Sequence, residues 1–234
     1  MKKIIFSFLV VLMLGFSGCN KKGDNFIEYP YLPAVVTSML PPVISTIYGK
    51  FYVPELQLEN LWDGDAIGIT FTVNYDQPLV SEYPTAYNTN YDKIGQEWAQ
   101  GTPGGESTSS TEFNVPIEDL APIALIENIF FFTFKHTAPS DQEYKYEITY
   151  DQDITDDLVL YIRAKKIDNG SKPETTIYRS QAFGMYYFFS RHMDADKNVT
   201  FQIKYKNGMN EDGSDKYELC KDNNGNSSFK LKVE

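Results

Sequence analysis

Ile67-Gly68-Ile69-Thr70-Phe71-Thr72-Val73-Asn74-Tyr75 alternates apolar with small or polar residues over nine positions. Successive side chains of a strand point to opposite faces, so this period of two places Ile67, Ile69, Phe71, Val73 and Tyr75 on one buried face. Asp63-Gly64-Asp65, just before it, supplies the turn that leads in. The same period recurs further on. Tyr144, Tyr146, Ile148 and Tyr150 alternate with Lys145, Glu147 and Thr149, whereas residues 129–134 and 158–162 are nearly continuous apolar runs, as in core strands. Strand-like segments follow at 175–178, 183–189, Phe201/Ile203/Tyr205, 217–220 and Phe229/Leu231/Val233. Turn-forming Asp, Asn and Gly clusters separate them, among them Asp168-Asn169-Gly170 and Asn207-Gly208. Short strands with turn signals at this spacing predict an all-β, mainly antiparallel chain with a C-terminal β-sandwich. No fixed-period repeat or heptad occurs, which sets aside solenoids, propellers and coiled coils.

Three stretches break the pattern. Residues 100–111 are rich in Gly, Ser and Thr and lack apolar residues, so 99–112 is expected to be a linker or loop dividing a small β domain at 43–98 from a sandwich at 113–234. Ile117, Leu120, Ala124 and Leu125 have helix-compatible spacing, although Pro122 limits any helix to a turn or two. Pro30, Pro33, Pro41 and Pro42 fall in a segment of little periodicity, and 19–42 is expected to be a proline-rich tether.

The chain opens with Lys2 and Lys3, an apolar run over residues 4–16, and Ser17-Gly18-Cys19. That is the layout of a secretory signal. Thirteen residues at a helical rise of about 1.5 Å cover roughly 20 Å, short of a hydrocarbon core of about 30 Å, so residues 1–18 read as a cleaved signal peptide. Phe16-Ser17-Gly18-Cys19 resembles the lipobox of bacterial lipoproteins, with Phe16 in the place usually held by Leu. The resemblance implies cleavage before Cys19 and fatty acylation of its thiol and amine, and hence a membrane partner through the lipid. Two or three chains on one residue make a stable anchor, where one gives only marginal binding. Asn20 follows where an Asp would, in enterobacterial lipoproteins, imply inner-membrane retention; outer-membrane placement is the expectation. Lys21-Lys22-Gly23-Asp24 is a short charged stretch suited to a solvated tether or to surface export.

Loss of residues 1–18 removes Lys2 and Lys3, leaving 19 of 21 basic residues against 32 acidic ones, a formal charge of −13. So acidic a chain is a poor nucleic-acid partner. With Cys19 lipidated, Cys220 has no partner for an internal disulfide and is expected to be a small buried side chain. The two histidines, His136 and His192, lie in no zinc-ligand spacing, and neither a nucleophile elbow nor a phosphate-binding loop is present; no metal and no cofactor is expected. Asp194-Ala195-Asp196-Lys197-Asn198 copies the opening of a calcium loop, but Val199 stands where that loop needs Gly and Tyr205 where it needs Glu, which favours a hairpin turn.

Aromatics make up 15% of the chain, and exposed aromatic faces are what sugar-binding surfaces use for stacking. Trp62, before the Asp-Gly-Asp turn, and Trp98, before the Gly-rich stretch, are the candidate ligand platforms. The run Trp62-Asp63-Gly64-Asp65 into residues 67–75, then 129–134, then Leu158-Val159-Leu160-Tyr161-Ile162-Arg163 resembles NigD-like lipoproteins of Bacteroidota. That resemblance implies a small OB-like barrel ahead of a C-terminal sandwich and carries no catalytic residues. The expected role is a non-catalytic, membrane-anchored envelope lipoprotein with a binding or accessory function. Two alternatives stay open: a glycan-binding surface lipoprotein, and an envelope enzyme acting on polysaccharide through a carboxylate pair. An envelope protein is the other candidate partner.

Overall fold

The computed structural model describes residues 25–58, 60–109, 112–222 and 224–233; the signal peptide expected at 1–18 and Cys19 lie outside them. The described residues form an all-β fold of mainly antiparallel sheets. In the first sheet, β1 (Phe26–Met39), β2 (Pro42–Thr46), β3 (Gly49–Tyr52), β4 (Ala66–Asn74) and β5 (Ala86–Lys93) run in the order β3-β2-β1-β4-β5. Ile67, Ile69, Phe71 and Val73 of β4 are buried with Ala34, Ile44 and Phe51, as the period of two requires. Tyr75, the last apolar position of that run, lies beyond the strand and is exposed.

The sheet does not close into the OB-like barrel that the resemblance implies. Its last strand on one side, β3, is four residues long, and the chain leaves it for a 3-10 turn at Pro54–Leu58. One bridge, Tyr52 with Thr85, spans the gap to β5 among the described residues. Nor are residues 26–39 a tether: β1 is the central strand, and its Leu32, Ala34, Val35 and Val36 are buried. Its prolines are accommodated by a local edge. Pairing with β2 begins only at Ala34, so Pro30 and Pro33 lie where β1 has one neighbour, and Pro30 falls in a register shift between Tyr29 and Leu32. A missing N–H costs nothing on an unpaired edge.

The remaining strands build a sandwich. β6 (Gly95–Trp98), β12 (Glu174–Gly184), β9 (Ile129–Pro139) and β8 (Asp119–Ile126) form one sheet in that order. The other has the order β14 (Asp215–Leu219), β13 (Asn198–Met209), β11 (Val159–Lys166), β10 (Tyr144–Asp151) and β7 (Gln100–Thr102), with β15 (Ser228–Lys232) sharing the edge of β13 with β14. Phe130, Phe132, Phe134, Phe183, Phe188 and Phe201 fill the space between the sheets with Ile148, Leu160 and Ile162. Cys220 is buried at the same core, its Sγ 3.5 Å from the Leu120 carbonyl, and burial pushes its thiol up to about 12.

The stretch expected to be a linker is part of this sandwich. The chain passes from one sheet to the other at buried Ala99, β7 pairs in parallel with β10, and the turn Pro103–Gly105 follows. Ser107 and Thr108 hydroxyls donate to the buried Glu147 carboxylate, which lies 3.5 Å from the buried Arg163 guanidinium. Arg163 in turn donates to Thr149 Oγ1 (2.7 Å) and the Gly105 carbonyl (2.9 Å). The glycines serve close packing: Gly105 has φ +68°, and a Cβ there would lie 2.6 Å from the Tyr161 ring.

Residues 119–126, within the stretch with helical spacing, form an edge strand instead. A register shift between Pro122 and Ala124 moves the apolar face by one residue and mimics helical spacing. Conversely, the strand expected at 183–189 ends at Gly184, and α1 (Tyr186–His192) begins. Met185, Phe188 and Phe189 reach the core at helical intervals, and the Phe189 N–H donates to the Met185 carbonyl at 2.9 Å.

Candidate functional site: a cleft between the first sheet and the sandwich

An apolar seam joins the first sheet to the sandwich: Val35, Ala66 and Ile94 on one side, Ile129, Phe131 and Ala182 on the other. Beside it opens a cleft of about 710 Å³ whose walls are three turns and a short strand. The first turn is Asp63-Gly64-Asp65, where the φ of +93° at Gly64 lets its N–H reach the Val36 carbonyl at 2.7 Å. Asp65 accepts from the Trp62 N–H (2.8 Å) and pairs with Lys93 (2.9 Å). The second is the β8–β9 hairpin, in which Glu127 and Asn128 both have positive φ, as a two-residue turn matching the strand twist requires. Lys50 of β3 reaches across from the first sheet to pair with Glu127 at 2.9 Å. The third is the start of α1, fixed to the hairpin by the Met185 N–H donating to the Asn128 carbonyl at 2.8 Å.

Trp98, at the end of β6, stands on the rim. Its indole lies against Gly184, where a Cβ would meet it at 2.4 Å, so the glycine makes room for the ring and the ring covers the glycine. Even so, Trp98 remains 53% exposed, with Tyr187 at 6.3 Å between ring centroids and Tyr186 a further 5.6 Å from Tyr187. Trp98 also borders a smaller pocket of about 170 Å³ lined by Thr108, Glu112, Lys145 and Lys165. The result is an exposed aromatic ridge between two polar hollows.

Of the two tryptophans singled out by sequence, Trp98 lines the cleft and Trp62, 74% exposed, precedes the turn that forms its wall. Sequence reasoning missed Tyr186 and Tyr187, because 183–189 read as a strand. It also missed Lys50 and Glu127, whose pairing is a contact between distant segments. Cys19 lies outside the described residues.

The remaining candidates are structural. His136 is buried, stacked on Tyr144 at 4.1 Å, with Nδ1 3.1 Å from the Pro116 carbonyl and Nε2 3.0 Å from the Tyr146 hydroxyl. A carbonyl only accepts, so Nδ1 carries the hydrogen and Tyr146 donates to Nε2. Burial holds this imidazole below its usual range. Asp194 accepts from the backbone N–H groups of Asp196 (2.9 Å) and Asn198 (2.7 Å), the hydrogen bonding of a tight turn. No described helix is long and apolar enough to cross a membrane.

No protein family model matches the chain. No curated protein matches it either. Solved structures do share its fold. An uncharacterised protein from Parabacteroides merdae is 15% identical with a TM-score of 0.71, over 88% of this chain and 100% of that one. A candidate lipoprotein from Bacteroides fragilis is 13% identical with a TM-score of 0.58, over 89% and 99%. A NigD-like immunity protein from Bacteroides caccae is 10% identical with a TM-score of 0.52, over 92% and 100%. At these identities the likeness is one of fold, and that fold recurs among Bacteroidales proteins.

Proposed function

We propose that the chain is a non-catalytic lipoprotein, held by Cys19 at the outer membrane, which binds an envelope or host glycan in the cleft beside Trp98. The observation that carries this reading is the exposed ridge of Trp98, Tyr187 and Tyr186 next to a hollow edged by Asp63, Gln96 and Asn128. Sugars combine apolar C–H faces with hydroxyls, so a ring face beside donors and acceptors matches both. Of the lining carboxylates, Asp65 and Glu127 each pair with a lysine, which fixes them as hydrogen-bond acceptors on the cleft wall. The lipobox resemblance and the fold shared with a candidate lipoprotein support the anchored placement.

Full-length protein in detergent, tested on an array of envelope polysaccharides and host glycans, should be retained by at least one class. Trp98→Ala should abolish retention; because it also uncovers Gly184 it should lower the melting temperature somewhat, so retention is measured well below the melt of the variant. Hydrolytic turnover of any probe would contradict the non-catalytic reading, and retention unaffected by Trp98→Ala would contradict the site.

A further inference from the structure

β1 spans the first sheet from end to end, and its two ends differ in character. At one end Val35 enters the apolar seam with the sandwich. The other end begins with Phe26 and Ile27, 50% and 48% exposed, although both are strand residues with ladder partners in β4. The loop that follows β4 leaves from the same end, since Phe26 pairs with Asn74 and the Tyr75 N–H donates to the Asn25 carbonyl at 3.1 Å. That loop is held in shape by reciprocal backbone bonds between Val80 and Tyr83, both 2.9 Å, which close a turn at Ser81-Glu82, and it leaves Leu79, just before that turn, 61% exposed. Tyr75 is exposed beside it, its hydroxyl 2.7 Å from that of Tyr29. An ordered surface that holds two aliphatic side chains, a phenylalanine and tyrosines in solvent marks a contact site.

The length of chain outside the described residues says what covers it. Six residue steps separate Cys19 from Asn25, which span at most about 20 Å when fully extended. A bilayer surface is therefore within reach of this end.

We propose that the Phe26/Ile27/Tyr75/Leu79 end of the first sheet docks on the lipid bilayer, fixing the orientation of the whole molecule. This rests on the lipid anchor at Cys19. Aliphatic and phenylalanine side chains enter the acyl boundary while tyrosines sit at headgroup level with their hydroxyls in water. Nine residue steps of strand from Phe26 to Val35 then lift the cleft about 30 Å above the membrane. Trp98 and the tyrosines of α1 are presented outward, clear of the headgroups.

The test uses the full chain, acylated in cells and reconstituted in phosphatidylethanolamine–phosphatidylglycerol vesicles with or without brominated acyl chains. An environment-sensitive dye is placed on Leu79→Cys or, as a distal control beyond the outer end of β12, on Lys172→Cys. Buried Cys220, its thiol pushed up to about 12, competes poorly for the dye. Dye at position 79 should shift to the blue in vesicles and lose emission to brominated chains, while dye at position 172 does neither. Vesicle-bound protein whose dye at 79 ignores the bromine would overturn the proposal. So would a response at 79 that follows protein density rather than bromine, which would identify a second copy as the occupant. A Cys19 peptide without acyl mass would remove the anchor and the docking with it, a failure separate from the other two.

Discussion

A buried imidazole between a carbonyl and a phenol is fixed in one protonation state. His136 has that setting, and charging it would turn its accepting nitrogen into a donor facing the Tyr146 hydroxyl inside the core. His192, packed on Phe188 and Tyr150, is likewise held below its usual range, first by burial and then by Arg191. Both folded values are lower than the unfolded value of 6.5, so the unfolded chain binds protons at a pH where the native chain does not. The stabilisation is fully present above 6.5 and is lost as pH falls below it toward the folded values. Denaturant melts between pH 7.5 and about 5 should show declining stability for the wild type, and a His136→Gln/His192→Gln variant should show a shallower decline over that interval. Equal slopes would place the titrating groups elsewhere.

At the scale of elements, the glycines at 101, 104 and 105 separate two readings of one composition. A flexible linker tolerates alanine anywhere, whereas packed backbone does not. Gly105 combines φ +68° with a Cβ position 2.6 Å from Tyr161, while Gly104 has φ +61° and nothing closer than 3.9 Å. Gly105→Ala should therefore cost about 2–3 kcal/mol and Gly104→Ala about 1 kcal/mol in urea melts, the difference being the clash with the Tyr161 ring. Equal, negligible costs would restore the linker. The same contrast explains what was legible in the sequence. Period two identified β4 and β10 because the apolar face of each enters a core, although the polar face of β10, with Glu147 and Thr149, is buried as well; the apolar runs marked β9 and β11 because both are interior strands. β1 was hidden because Pro30 and Pro33 read as strand breakers, and only the late start of β2 pairing makes them harmless. β8 was misread because a bulge at Pro122 imitates helical spacing, and α1 because Met185, Phe188 and Phe189 prolong an apolar strand signal. Bulges, sheet edges and local glycine contacts depend on neighbours distant in sequence, which no local period encodes.

At the scale of the whole molecule, the cleft lies where the first sheet meets the sandwich. The site was half legible: Trp62 and Trp98 stood out as aromatics before turns, but the turn pairing Lys50 with Glu127 and the tyrosines of α1 come together only in the fold. The central claim is that a ligand lies against Trp98. Trp62→Phe leaves Trp98 as the sole indole, so its emission reports on the cleft alone. Titration of this variant with a glycan retained on the array should shift Trp98 emission saturably, at the concentration that gives half-maximal retention; retention with no change in that emission would contradict the account.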